Sequence, residues 1–321
     1  MVVFVVIGHG DLDGVGAAAL LVRGLGLGLG GVRLVFCEPH RVDECFRSVL
    51  RSGGVVGVGV VDLGLNDSVF RGVVEGYRRW GGGVRVYWFD HHVWEDEWIS
   101  GLRGLGFEVV VDRSTCATGV VAGYFGLDDD FSRRLVSSVC SVDLWRWDDP
   151  LSPFLFRLTD AWSSEEGLRR VFEAFVKGVL WRDEWSRVVS EYVDEELRGY
   201  DRIKRYLRVV DVGGCRIVVA VKYWDGPPHR NFLAQYLLSR YGADIAVIPV
   251  VGRGISLRSR EVDVRRIAVR LGGGGHPRAS GAPIPAGFVR RLLARIYPRL
   301  ILDPVVNALE KTVSEVGCIR E

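Results

Sequence analysis

Lysine, methionine and histidine are scarce in this chain of 321 residues. Four of its 42 basic residues are lysines, so 38 are arginines, and there are one methionine and six histidines. A GC-rich genome or a hot habitat would each produce this bias. Because lysine depletion is not the general signature of thermophiles, both causes stay open, and a thermophilic source is one expectation.

Cysteine and long apolar runs are also limited. The six cysteines are widely spaced, form no Cys-x-x-Cys pair and lie mostly among apolar residues, which predicts reduced core thiols rather than disulfides or zinc ligands. No apolar run approaches the ~18 residues of a membrane span. The apolar start of the chain lacks the basic residues of a signal peptide. We therefore expect a cytoplasmic protein that does not bind membranes.

The first part of the chain alternates short apolar runs with segments of helical length, which is typical of a parallel sheet covered on both faces. Strands are predicted at 2–7, 32–37, 55–61, 84–89 and 107–111, and helices at 14–24, 40–51, 66–80 and 117–126. Residues 130–180 are predicted to be helical, with an interruption around Trp145–Pro153.

A charged amphipathic stretch at 181–207 then predicts a long connecting helix. Beyond it, Gly213-Gly214 has the character of a hairpin turn between two apolar runs. Strands are predicted at 208–212, 216–221, 244–250 and 254–258, and helices at 229–241, 263–270 and 285–296. The prediction is an α/β protein with a parallel-sheet domain at 1–182, a connecting helix at 183–208 and a smaller α/β domain at 209–321.

The two parts differ in charge. Residues 1–208 carry 25 basic and 31 acidic side chains, whereas residues 209–321 carry 17 basic and nine acidic ones. An acidic first domain suits a cation site, and a basic second domain suits an anionic substrate. Ordinary surface variation is the alternative explanation.

The triplet Asp90-His91-His92 is the most informative motif. It follows the apolar run 84–89, so a carboxylate and two imidazoles lie at the C-terminal end of a predicted strand. Ligands of open parallel sheets bind at that edge. Because adjacent residues of an extended segment point in opposite directions, one imidazole could bind a metal while the other faces a substrate.

Other carboxylates follow the same pattern, although each alone could be a helix cap. His9, Asp11 and Asp13 follow the first strand, Asp62 ends the third, and Asp143 lies in an apolar stretch, with Asp148, Asp149 and Asp160 as nearby alternatives. Such a cysteine-free set is the ligand inventory for two divalent ions about 3.5–4 Å apart. The candidate ligands are His9, Asp11, Asp13, Asp62, His91 and Asp143.

A glycine-rich segment marks the second domain. Gly272–Gly275 could expose successive backbone amides to an anion, and His276 could add a donor. Arg258 lies on a predicted strand, and its guanidinium suits bidentate phosphate contact. A flexible turn and a solvated arginine are the alternatives.

Taken in order, these motifs resemble those of the DHH phosphoesterases with an associated DHHA1 domain. That family includes RecJ-like exonucleases, nanoRNase-type oligoribonucleases, cyclic dinucleotide phosphodiesterases and inorganic pyrophosphatases. The resemblance implies that His9, Asp11 and Asp62 hold one Mn²⁺, and that Asp13, Asp62, His91 and Asp143 hold a second. His92 would face the scissile phosphate, with Asp90 supporting a neighbouring imidazole. The implied substrate-binding residues are Arg258, Gly273, Gly274, Gly275 and His276.

The expected function is hydrolysis of short single-stranded RNA or DNA to mononucleotides by a water that two ions activate. Mn²⁺ is favoured, with Mg²⁺ and Co²⁺ as alternatives. We expect small substrates because the chain ends soon after the DHHA1-like segment. The alternative functions are a cyclic dinucleotide phosphodiesterase, a nucleotide phosphatase and, least favoured, a non-catalytic scaffold in replication or repair. The sequence leaves the oligomeric state open.

Overall fold

The computed structural model describes residues 2–80 and 82–320. The chain divides into two compact units, the first ending at Val189 and the second beginning at Ser190. The division lies inside a long helix, Asp183–Ile203, rather than at either of its ends. Throughout residues 2–80 and 82–320, each helix is too short or too polar to cross a lipid bilayer.

A five-stranded sheet forms the centre of the first unit, and all its neighbouring strands are parallel. The strands are β1 (Val3–Gly8), β2 (Val32–Phe36), β3 (Val55–Val61), β4 (Arg85–Asp90) and β5 (Glu108–Val111). Their order across the sheet is β2-β1-β3-β4-β5. The carboxyl ends of β1, β3 and β4 therefore lie side by side. The predicted α/β class and parallel sheet are confirmed.

Helices pack on both faces of this sheet. They are α1 (Leu12–Gly24), α2 (Val42–Arg51), α3 (Asp67–Trp80), α4 (Asp96–Arg103), α5 (Ala117–Phe125), α6 (Asp130–Asp143), α7 (Ser152–Ala161), α8 (Glu165–Val176) and the shared α9 (Asp183–Ile203). One face carries a core that includes Phe46, Tyr77, Trp88 and Phe107. On the other, α1 is buried along most of its length because α5, α6 and α8 all contact it. No helix was predicted from the sequence at the position of α4.

The second unit has a six-stranded mixed sheet of order β10-β11-β9-β8-β7-β6. Its strands are β6 (Leu207–Val212), β7 (Cys215–Ala220), β8 (Ile245–Val250), β9 (Gly254–Ser259), β10 (Gly274–His276) and β11 (Ala279–Ala282). The β7–β8 pair is parallel, and the other neighbouring pairs are antiparallel. Gly213 and Gly214 form the predicted hairpin turn, both at positive φ.

The helices of the second unit are α10 (Arg230–Tyr241), α11 (Val264–Arg270), α12 (Phe288–Leu293) and α13 (Arg299–Val316). The predicted helix at 285–296 was too long, since α12 has six residues. Helix α13 was not predicted from the sequence, although its apolar face supplies Ile301, Val305 and Val313 to the core. Pro304 is the sixth residue of α13 and lacks the amide that would donate to the carbonyl of Leu300, yet the helix continues through it to Val316.

The prediction of reduced cysteines was wrong. All six are paired, as Cys37–Cys45, Cys116–Cys140 and Cys215–Cys318. The partners are eight, 24 and 103 residues apart in sequence, so the local spacing rules for disulfides and metal sites could not identify them. Apolar surroundings suit a buried disulfide as well as a buried thiol.

Candidate metal centre

The candidate metal ligands lie where three neighbouring parallel strands end. Residues 9–13 follow β1, Asp62 follows β3, and His91 follows β4. The strand ends are aligned because Gly8 pairs with Val61 and Val61 with Phe89. This alignment brings together groups that are far apart in sequence.

Asp62 lies between two imidazoles. Its Oδ2 is 3.6 Å from Nδ1 of His9, and its Oδ1 is 3.5 Å from Nε2 of His91. The residue is 3% exposed and has a φ of 56°, in the left-handed region that non-glycine residues rarely adopt. Its amide donates to the carbonyl of Phe89 on the neighbouring strand. The chain thus turns sharply after β3 and directs this carboxylate along the sheet edge.

The turn after β1 requires a glycine. A Cβ on Gly14 would lie 2.2 Å from the carbonyl oxygen of His9, so a larger residue cannot stand there. Asp11 caps α1 by accepting from the Gly14 amide at 3.0 Å, and its other oxygen lies 2.8 Å from Nδ1 of His9. Asp11 is therefore a helix cap and a neighbour of the candidate ligands at the same time.

Asp13 is held by the start of α5. The Ala117 amide donates to its Oδ2 at 2.8 Å, and the Thr118 amide donates to its Oδ1 at 2.8 Å. The Thr118 hydroxyl adds a bond to Oδ1 at 2.6 Å. Asp13 Oδ2 also lies 3.8 Å from Nε2 of His91. The first turn of α5 thereby fixes the direction in which this buried carboxylate points.

Asp143 completes the cluster, at the last residue of α6. Its Oδ2 is 3.6 Å from Nε2 of His91. Of the alternatives, Asp149 accepts bonds from two serine hydroxyls and from the amides of Leu151 and Ser152, which shape the start of α7. Asp148 pairs with Arg146 at 3.3 Å, and Asp160 lies on α7. Asp148 and Asp149 therefore have their own partners, none of which is a candidate metal ligand.

Asp90 is fully buried and supports His92. Its Oδ1 lies 2.8 Å from Nδ1 of His92, and its Oδ2 accepts from the indole N–H of Trp94 at 2.6 Å. With Nδ1 held in this way, Nε2 of His92 is directed away from Asp90. The side chain of His92 is half exposed.

Burial, followed by repulsion between neighbouring carboxylates, shifts the pKa values of Asp13, Asp62 and Asp143 upward. Burial and the charges of Asp11 and Asp13 raise the pKa of Asp62 well above its usual value, and burial and the charge of Asp13 do the same for Asp143. Burial also raises the pKa of Asp13. Although burial opposes it, the charge of Asp11 raises the pKa of His9 to about 11. The cluster has an excess of negative charge that a bound cation would neutralise.

The donor atoms fit divalent ions. Among the described residues there are three groups in which the donor atoms lie within 4.8 Å of one another: His9, Asp11 and Asp62; Asp13, His91 and Asp143; and Asp62, His91 and His92. Carboxylate oxygens suit Mg²⁺ and Mn²⁺, and imidazole nitrogens favour the latter. Asp62 belongs to two groups, which suits a bridging ligand. The third group includes His92, for which the family resemblance implies a contact with the scissile phosphate instead.

In the second unit, the predicted phosphate-binding Arg258 is largely buried on β9. Its Nε and Nη2 donate to Oδ1 of Asn231 at 3.2 and 3.1 Å, and its Nη1 donates to the carbonyl oxygens of Leu257 and Ser280 at 2.9 and 3.4 Å. Burial, together with the charge of Arg230, lowers the pKa of Arg258 to about 9. The guanidinium of Arg258 therefore links β9 to α10 and to β11 within the second unit.

The glycine run is not the open loop that the sequence suggested. The amides of Gly272 and Gly273 donate to the carbonyls of Val269 and Ala268, which closes the C-terminus of α11. Gly274 to His276 form the edge strand β10, which pairs with β11. The expectation of four amides facing an anion is therefore wrong for the first two. His276 is exposed at the end of this strand.

Sequence reasoning missed the residues that support the site. Thr118 is 105 positions from Asp13, and Trp94, whose indole N–H donates to Asp90, belongs to none of the predicted motifs. His229, the N-cap of α10, accepts from the Asn231 amide beside Arg258. Hydrogen bonds between residues so far apart in sequence leave no periodic signal. The pair of His92 and Asp90 differs, because its members are two residues apart.

Comparisons with known proteins agree with this arrangement. Residues 216–300 match the DHHA1 domain family. The chain is 25% identical to oligoribonuclease NrnB of Bacillus subtilis (strain 168), over 92% of this chain and 76% of the relative.

Solved structures show the same fold. A DHH domain described as a member of the s1p family of ribosomal proteins aligns with a TM-score of 0.63 at 14% identity, over 99% of this chain and 88% of the other. Exonuclease RecJ bound to manganese aligns with a TM-score of 0.54 at 18% identity, over 98% of this chain and 92% of the other. These matches show a DHHA1 domain at residues 216–300 and, over nearly the whole chain, the fold of the solved DHH-domain and RecJ structures.

Proposed function

We propose that this protein is a divalent-metal-dependent phosphodiesterase that hydrolyses short single-stranded RNA or DNA to mononucleotides. The observation that supports this most directly is the position of Asp62, whose two oxygens face His9 and His91 at 3.6 and 3.5 Å. A carboxylate in this position can bridge two ions. The similarity to an oligoribonuclease supports the substrate class, and the manganese in RecJ supports Mn²⁺, with Mg²⁺ and Co²⁺ as alternatives.

The proposed ligands of the first ion are His9, Asp11 and Asp62, and those of the second are Asp13, Asp62, His91 and Asp143. Ions bound there would lower the pKa of a bound water and neutralise charge on the phosphate. The buried carboxylates supply the negative charge that holds the ions. Asp13 is fixed by α5 and Asp62 by the turn after β3, so both ligands are positioned before an ion arrives.

His92 is proposed to contact the scissile phosphate. Although burial opposes it, the hydrogen bond with Asp90 raises the pKa of His92, which favours an imidazolium that can donate from Nε2. In the second unit, Arg258, Gly274, Gly275 and His276 are proposed to bind the substrate, whereas the amide of Gly273 is already bound to the carbonyl of Ala268. The exposed His276 is best placed to do so, because Arg258 is largely bound within its own unit.

We also propose a cytoplasmic location and a thermophilic source. Disulfides are rare in the cytosol of most organisms but are frequent in intracellular proteins of hyperthermophiles. The three disulfides are compatible with both proposals, and an unfolding temperature in the ordinary mesophilic range would contradict the thermophilic source.

The test is an assay of the Mn²⁺-loaded protein against end-labelled RNA and DNA from dinucleotides upward, cyclic dinucleotides, nucleoside bisphosphates and pyrophosphate. Release of mononucleotides from the shortest oligonucleotides is expected. Asp62→Ala protein, purified identically, controls for contaminating nucleases. Faster turnover of cyclic dinucleotides or of bisphosphates would favour those alternatives, and no turnover of any phosphoester would overturn the proposal.

A further inference from the structure

A disulfide lies beside the candidate metal centre. Cys116 is the N-cap of α5, Cys140 lies on α6, and their Cα atoms are 5.1 Å apart. Both cysteines are buried, at 0% and 1% exposure. The bond therefore joins two helices inside the packed interior of the first unit.

On the α5 side, the disulfide adjoins the donors that hold Asp13. The two residues after Cys116 are Ala117 and Thr118, whose amides donate to the two oxygens of Asp13 at 2.8 Å each. A movement of the start of α5 would carry both donors with it. The position of Cys116 is thus coupled to the orientation of Asp13.

On the α6 side, Asp143 comes three residues after Cys140. Residues at this spacing lie on the same face of a helix, one turn apart. The carbonyl of Cys140 also accepts from the Leu144 amide at 3.1 Å, which closes the last turn of α6 next to Asp143. The position of Cys140 is thus coupled to the position of Asp143.

The chain itself joins these helices at the other end. The connection runs from Phe125, the last residue of α5, to Asp130, the first residue of α6. The open end of this helical hairpin is formed by the start of α5 and the end of α6. The start of α5 holds Asp13, and the end of α6 carries Asp143. The Cys116–Cys140 bond closes that open end covalently.

We propose that the Cys116–Cys140 disulfide is a positioning element of the metal centre, which fixes the separation of Asp13 and Asp143. Both carboxylates face Nε2 of His91, at 3.8 and 3.6 Å, so a change in helix spacing would change the gap available to an ion. This inference rests on the proposed role of the cluster as a metal centre.

The experiment compares two double variants of the full chain. Cys116→Ser with Cys140→Ser removes the bond at the centre, and Cys215→Ser with Cys318→Ser removes a bond that lies wholly in the second unit. Thiol alkylation followed by mass spectrometry under non-reducing conditions establishes which cysteines are paired in the natural protein. Mn²⁺ affinity is measured by calorimetry at a temperature at which each metal-free variant is folded.

We expect the first variant to bind Mn²⁺ about tenfold or more weakly, as when a partner that orients a ligand is lost. The second variant should retain the natural affinity. Equal affinities in both variants, or free thiols at Cys116 and Cys140 in the natural protein, would overturn the proposal. If the serine pair does not fold, Cys116→Ala with Cys140→Val keeps apolar groups at both sites for the same comparison.

Failure of the proposed positioning role of the disulfide can be distinguished from failure of the proposed function. A protein that binds Mn²⁺ but hydrolyses no phosphoester would overturn the proposed function and leave this affinity comparison valid. A natural protein that binds no Mn²⁺ would overturn both.

Discussion

Thr118 donates two hydrogen bonds to the same oxygen of Asp13, from its amide at 2.8 Å and from its hydroxyl at 2.6 Å. Both residues are fully or almost fully buried. Donors on one side of a carboxylate fix its orientation and leave the remaining lone pairs directed at an ion. These hydrogen bonds link α5 to the turn after β1, although Thr118 and Asp13 are 105 residues apart in sequence.

Thr118→Val keeps the shape and the amide but removes the hydroxyl donor. We expect Mn²⁺ affinity to fall by about 10-fold, because Asp13 loses one of the bonds that orient it. Thr159→Val is the matched control, since that buried hydroxyl bonds to carbonyls of its own helix. Calorimetric titration compares the variants; equal losses in both would show that the effect is not specific to Asp13.

His92→Gln should lower kcat and leave the number of bound ions unchanged. If His92 donates to the phosphate, loss of this donor should reduce kcat by about 10²–10³. Asp90→Asn should have a smaller effect in the same direction, because the imidazole would lose its orienting carboxylate. Metal analysis after dialysis checks the assignment: loss of an ion from His92→Gln would instead make His92 a ligand, as its group with Asp62 and His91 allows.

Much of the fold, but less of the site, could be predicted from the sequence. Alternating apolar runs predicted every strand of the first sheet, because buried parallel strands need continuous apolar segments. The Asp90–His92 contact was predictable because its partners are two residues apart. The support of Asp13 by Thr118 and the pairing of Cys116 with Cys140 depend on tertiary packing, which no local pattern records. The glycine run misled the prediction because its first amides close α11.

Gly273→Ala should destabilise the second unit. A Cβ there would lie 2.0 Å from the carbonyl oxygen of Gly281, a backbone atom that cannot move without disrupting β11. We expect a loss of at least about 2 kcal/mol in the free energy of unfolding. Gly274→Ala is the neighbouring control, since its Cβ would meet no atom within 4 Å. Urea unfolding measures both, and similar midpoints would contradict the assigned geometry.

The stability of the second unit should fall as pH decreases below about 6.5. Burial, followed by the charges of Arg230 and Arg258, lowers the pKa of His229 well below its usual value. The unfolded chain therefore binds a proton at pH values where the folded protein does not, so acid favours unfolding, by up to about 1.4 kcal/mol per pH unit.

His229→Asn retains a capping acceptor for α10 and removes the titrating group. Its stability should therefore depend less on pH than that of the natural protein. Urea titrations at about pH 7 and about pH 5 give the comparison. Parallel pH profiles for the two proteins would exclude His229 as the source of the acid sensitivity.

Asp62 is proposed to bridge two metal ions. The most direct measurement is the anomalous scattering of manganese from crystals grown with Mn²⁺. We predict two peaks about 3.5–4 Å apart, one beside the Asp62 oxygen that faces His9 and the other beside the oxygen that faces His91. A single peak, or peaks that do not contact Asp62, would exclude a bridging role for Asp62.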